Sequence, residues 1–200
     1  MKIIVIGGTG TIGKAVVAAL SLRHEVIVAG YQGRDIQVDI ENEQSIHHLY
    51  KQVNNIDAVV MTTGRVHFAP LADMTPSTYD IGLKNKLMGQ VNTVLIGMHY
   101  LNESGSFTLT SGILNRDPIV LGSSAAMVNG ALEGFVKSAA IEMTKGLRIN
   151  IVSPTVITEA LEGYAPYFRG YVSVPASKAA LAYSKSVEGR QTGQVFTVFG

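Results

Sequence analysis

The clearest chemistry in the chain lies in Gly7-Gly8-Thr9-Gly10-Thr11-Ile12-Gly13, near the N-terminus. Side chains are missing there where a strand must turn sharply, so a pyrophosphate can approach the backbone. The helix that follows would offer free N–H groups and the positive end of its dipole. Gly7, Thr9, Gly10, Thr11, Ile12 and Gly13 are therefore expected to form a phosphate site, with Gly13 letting the helix pack closely on the sheet. Glycines also serve tight turns that hold no ligand. The context argues for a ligand here, because the motif follows a buried strand, opens a helix and precedes a second strand. NAD sites commonly carry an acidic residue at the end of that second strand, and NADP sites a basic one. The chain reads Val28-Ala29-Gly30-Tyr31-Gln32-Gly33-Arg34, with no carboxylate, so NADP is favoured over NAD; otherwise Arg34 is a solvated loop residue. Tyr31 either stacks on adenine or is an ordinary edge aromatic.

Other chemistries find less support. The five histidines show no metal-ligand spacing, so no metal is implied. Cysteine is absent, which excludes disulfides and a thiol nucleophile and fits a reducing compartment; a cytoplasmic location is expected. Sixteen basic and fifteen acidic residues leave a net charge of +1, without the positive field that nucleic acid or an anionic membrane surface would select. Apolar segments such as Asp57 to Met61 and Val91 to Met98 are too short or interrupted to cross a bilayer. The expected partner is a small-molecule substrate.

The elements that position these residues follow from short β-branched runs alternating with segments of helical period. Strands are expected at Lys2 to Ile6, Glu25 to Ala29, Ala58 to Met61, Ser106 to Thr110, Arg148 to Val152 and Val195 to Val198. Helices are expected at Ile12 to Leu22, Asn42 to Gln52, Thr75 to Lys86 continuing to about Leu101, Ser124 to Thr144, and Ala176 to Ser186. That alternation predicts an α/β fold: a Rossmann-type doubly wound parallel sheet flanked by helices, in one domain of 200 residues. Ligands of such sheets lie at the carboxyl ends of the strands, where the irregular Thr155 to Ser173 stretch would shape a pocket.

Seven segments occur in an order that resembles the short-chain dehydrogenase/reductase family. They are the glycine turn; Val38-Asp39-Ile40; Ile56-Asp57-Ala58-Val59-Val60 leading into Thr62-Thr63-Gly64; Leu87-Met88-Gly89-Gln90-Val91-Asn92; Ala131-Leu132-Glu133-Gly134-Phe135; Arg148-Ile149-Asn150-Ile151-Val152-Ser153-Pro154; and Thr192-Gly193-Gln194-Val195. The resemblance implies Asp39 and Ile40 beside the adenine, Thr63 and Gly64 beside the ribose, and Pro154 near the nicotinamide. It also implies helix-mediated homodimers or homotetramers.

The family's catalysis uses an Asn, a Ser, and a Tyr and Lys four apart on one helix, with the Tyr as general acid/base. Alignment on the shared segments puts Lys86, Gly112, Ala125 and Asn129 at those four positions, and no Tyr anywhere in the chain is followed four residues later by Lys. Tyr171 and Lys178, near a sequence that imitates the catalytic helix, are seven apart with Pro175 between. Lys86, Ser111, Ser123, Ser124 and Asn129 are the candidates to take over, Lys86 by stabilising a developing alkoxide. Their ordinary roles would be a helix cap for Ser123 or Ser124, internal hydrogen bonds for Asn129 and a solvated position for Lys86. Two readings follow: an NADP(H)-dependent oxidoreductase of a small acceptor with a nonstandard or absent proton donor, or an inactive NADP(H)-binding sensor.

Overall fold

A computed structural model describes residues 1–200. Seven parallel strands form one sheet in the order β3-β2-β1-β4-β5-β6-β7. They are β1 (Lys2–Ile6), β2 (Glu25–Gly30), β3 (Ile36–Gln37), β4 (Ile56–Met61), β5 (Leu101–Thr110), β6 (Arg148–Pro154) and β7 (Val195–Val198). The register of β1 runs from Ile3 opposite Ala58 to Ile6 opposite Met61 on one side, and from Lys2 opposite Glu25 on the other. Ile3, Ile4, Val5 and Ile6 are all buried, as a central strand covered on both faces requires.

Helices α1 (Thr11–Leu20) and α7 (Ala176–Glu188) cover one face, and α2 (Glu43–Gln52), α4 (Gly89–Gly97) and α5 (Ser123–Ala139) the other. Ile46, Leu49, Val94 and Leu132 pack against Ile4, Val59 and Ile149 in the larger core, whereas Val16, Tyr183 and Val187 close on Ile3, Val5 and Val60 in the smaller. Two short helices, α3 (Pro76–Ile81) and α6 (Leu161–Tyr164), complete the set. No helix is long and apolar enough to cross a membrane.

The parallel doubly wound fold is as expected, and the differences are local. The helix expected from Thr75 to about Leu101 is three pieces, because Gly82–Met88 winds as a π-helix between α3 and α4. Leu101 itself opens β5, five residues before the expected strand start. The helix expected to reach Thr144 stops at Ala139, where the chain turns toward Lys145 at φ +55° and Gly146 at φ +67°. Strand β3, two residues with polar neighbours, has too little pattern to announce itself.

Candidate functional site

The glycine turn sits at the carboxyl end of β1, next to the point where the strand order reverses. Gly7 takes φ +85°, and a Cβ there would lie 2.9 Å from the Thr62 backbone. At Gly13 a Cβ would run into the Gly7 carbonyl oxygen and the Gly8 Cα. These two glycines allow the turn to fold against α1 and the end of β4. Thr9, Gly10 and Thr11 form the exposed outer arc, while Ile12 turns partly inward. Gly10 caps α1 with no side-chain hydrogen bond, so the first N–H groups of that helix remain available to an anion.

Two cavities flank the turn and meet at Thr63. The first, about 370 Å³, is walled by Ile6, Gly30, Tyr31, Val38, Asp39, Ile40, Glu41, Arg65 and Asn85. Its amide and charged side chains are already paired. Asn85 donates from Nδ2 to Glu41 Oε1 at 2.6 Å and accepts from the Arg65 backbone N–H at 2.6 Å. The Arg65 guanidinium reaches the same Glu41 oxygen at 2.9 Å. The Asn85 amide, helped by Arg65, holds the Glu41 carboxyl below its ordinary pKa against the opposing effect of burial. Asp39 accepts from the Glu41 N–H at 3.0 Å, and its own N–H donates to Ser45 Oγ. Tyr31 stands at the rim, 72% exposed. Arg34 lies outside the lining of both cavities, on the exposed loop before β3, 3.9 Å from Asp35.

The second cavity, about 270 Å³, has Ile12, Thr62, Thr63, Gly64, Thr110, Ser111, Pro154 and Thr155 on its floor and inner wall. Val66, Phe68, Ile113, Leu114, Val156, Ile157 and Phe168 give it an apolar side. Ala125 and Asn129, one helical turn apart on α5, face it together. Lys86 is its one ionisable lining residue, and no tyrosine lines it.

The π-helix carries Lys86 inward. Its aliphatic stem crosses Gly64 so closely that a Cβ there would lie 2.6 Å from Lys86 Cγ. The ammonium donates to the Ser111 carbonyl oxygen at 3.1 Å and forms no salt bridge. The residue as a whole keeps some solvent contact, but its charged end is desolvated, which pushes its pKa down to about 8. A freely solvated position for Lys86 is thereby corrected.

The remaining candidates divide. Asn129 donates to the Gly112 carbonyl at 3.2 Å, while its buried Oδ1 has no partner. The Ser111 backbone lines the cavity, but its hydroxyl donates to Glu133 Oε1 at 2.9 Å. Glu133 is buried and held by both Arg116 NH1 contacts at 2.7 Å, and Arg116 also donates to Ser153 Oγ. Ser124 is fully buried outside the cavity lining, with its unpaired Oγ where a Gly82 Cβ would come within 2.9 Å. Ser123 does not cap α5; its hydroxyl meets that of Tyr79 at 3.0 Å. Tyr171 and Lys178 bond separately, to the Asp117 and Phe199 carbonyls. Glu41, Arg65, Asn85, Arg116 and Glu133 had not been singled out as site residues. Glu133 lies within a recognised segment, Glu41 and Arg65 each follow one, and Asn85 precedes Lys86; only Arg116 has no sequence signal beside it.

Comparison with known proteins agrees with this architecture. A family model described as "Enoyl-(Acyl carrier protein) reductase" matches residues 13–188. The crystal structure of the protein lin1944 from Listeria innocua is 50% identical with TM-score 0.98, covering 100% of both chains. A small-chain dehydrogenase in complex with NADPH is 28% identical with TM-score 0.89, over 100% of this chain and 96% of that one. A curated relative, the uncharacterized oxidoreductase YmfI of Bacillus subtilis, is 27% identical over 143 residues, and the match spans 68% of this chain and 59% of that protein. With the parallel sheet, the glycine turn at its switch point and a matching family model over most of its length, the chain belongs to the short-chain dehydrogenase/reductase family.

Proposed function

We propose that this protein binds NADP(H) across the two cavities and reduces a small acceptor in the second. The observation that carries the reading is their junction at Thr63, beside a glycine turn whose helix end is uncapped. The pyrophosphate would rest on Gly7 to Gly13, the adenosine between Tyr31, Asp39 and Ile40, and the nicotinamide beside Gly64 and Pro154. When bound, the cofactor supplies the hydride; the chain's own residues orient it and wall the acceptor off from water. Arg34 is the cation nearest Tyr31 in the chain and fits a 2′-phosphate that approaches over the rim.

The NADPH-bound relative supports nucleotide binding. Titration should show NADPH raising thermal stability, by about 2.7 kcal/mol at one hundred times its Kd. Arg34→Ala should weaken NADPH about tenfold and leave NADH unchanged; equal effects on both would remove the NADP preference.

A sensor is the second reading, favoured by Ala125 and Asn129 on the α5 face and by the lack of a tyrosine in the lining. NADPH oxidation with carbonyl compounds, quinones, flavins or biliverdin would exclude it. We also infer a homodimer or homotetramer through α4 and α5, which share an apolar groove lined by Leu95, Met98, Phe135 and Met143. Analytical ultracentrifugation tests it.

A further inference from the structure

We propose that Lys86 is a catalytic residue that meets the reacting oxygen of the acceptor, and that the acceptor is a small, flat carbonyl compound reduced to its alcohol. The inference rests on the NADP(H) reading above. Four observations carry it. Lys86 is the one ionisable residue lining the second cavity, and no carboxylate neutralises it. Its ammonium has three donors, and only the bond to the Ser111 carbonyl occupies one of them. Among the cavity's other polar side chains, the Ser111 hydroxyl is committed to Glu133, those of Thr62 and Thr110 donate to the Ile6 and Met61 carbonyls, and Asn129 leaves an acceptor, Oδ1, unpartnered.

The fourth observation is the aromatic part of the lining. Phe68 and Phe168 line the cavity, and Tyr164 lies against both rings, 6.1 Å from Phe68 and 6.2 Å from Phe168 between centroids. Tyr171 extends the cluster at 5.1 Å from Phe168. A lining that combines aromatic rings with one desolvated cation selects a flat apolar body with a single oxygen to present. A volume of about 270 Å³ keeps that body small.

In the step itself a bound dihydronicotinamide would supply the hydride, with its electron pair, that forms the new C–H bond at the carbonyl carbon. The C=O π pair moves to oxygen as the new C–H bond forms. Lys86 Nζ gives that oxygen a proton, becoming a neutral amine, and regains one from solvent. The ammonium is desolvated enough to ionise near pH 8, which suits a donor working near neutrality. No charge facing it alters that value. Thr62 to Gly64 present none, Arg65 and Lys84 are engaged with Glu41 and Asp80, and on α5 Glu133 is paired with Arg116.

The test uses butyrate as a carboxylate probe on the NADP⁺ complex, followed by thermal shift, beside NADPH oxidation with benzaldehyde and small aryl ketones. Butyrate should stabilise the wild-type complex at pH 7 and not at pH 10. Lys86→Gln should abolish that shift and Lys86→Arg retain it. Lys86→Gln should lower turnover at least 100-fold, and erase the fall in rate near pH 8, with NADPH affinity within threefold of wild type. Butyrate binding indifferent to Lys86, with NADP(H) binding intact, would overturn this inference alone. A pH limb that persists in Lys86→Gln would overturn the proton-donor role. Loss of all NADP(H) binding with Lys86-dependent butyrate binding intact would instead overturn the cofactor reading and leave the oxygen contact standing.

Discussion

The two cavities that meet at Thr63 are built on opposite principles. Around the first, Asn85, Glu41 and Arg65 satisfy one another, and Asp39 is fixed by Ser45 and the Glu41 backbone. Around the second, a desolvated ammonium lacks a counter-ion and a buried amide oxygen lacks a donor. The first is a finished surface that receives a ligand by shape. The second holds unspent polar capacity, which is expected where charge develops during a reaction. Truncation should therefore destabilise one region and stabilise the other.

The largest effect is expected where the regions join. Gly13→Val places a side chain against the Gly7 carbonyl and the Thr62 hydroxyl, and should cost about 3 kcal/mol in urea unfolding. Any NADPH-induced stabilisation should vanish with it.

Lys86→Met comes next, with the opposite sign. The Lys86 pKa falls from an ordinary 10.5 to about 8 on folding, so below pH 8 both states are protonated and the folded state carries the full cost of the buried charge. That cost shrinks as pH rises through 8 and is gone above about 10.5, where both states are neutral. The variant should thus gain about 2 kcal/mol at pH 7 and nothing near pH 10.5, measured by denaturation across that range. A loss of stability at pH 7 would make Lys86 an ordinary structural lysine and end the contrast.

Asn85→Ala is the smallest of the three. It leaves Glu41 Oε1 with Arg65 alone and the Arg65 N–H without its acceptor, at an expected cost of about 1.5 kcal/mol. NADPH binding should weaken too, because Glu41 and Arg65 line the same cavity. If Asn85→Ala and Lys86→Met shifted stability alike, the division between the cavities would be lost.

The sheet was legible because its signals are local: β1 is an apolar run, β6 and β7 are rich in β-branched residues, and the ends of all three fall within two residues of expectation. The glycine turn was legible for the same reason. What the chain hid was long-range pairing. Arg65 meets Glu41 across 24 residues and Asn85 across 20, spacings with no helical or strand period. Ser111 looked free because its hydroxyl partner, Glu133, stands 22 residues away. Lys86 was recognisable as a cation in an unusual position. Its inward course depends on the π winding of Gly82–Met88, which no apolar periodicity encodes.

That winding has a mechanical consequence. Asn85 and Lys86 are adjacent in the chain, yet one belongs to each cavity, so the peptide bond between them is a second link, beside Thr63, from one chamber to the other. Rewinding this segment into an ordinary helix would swing both side chains at once. Neither chamber can be remodelled through it alone, and a ligand that steadies Asn85 also narrows the arc through which Lys86 can move.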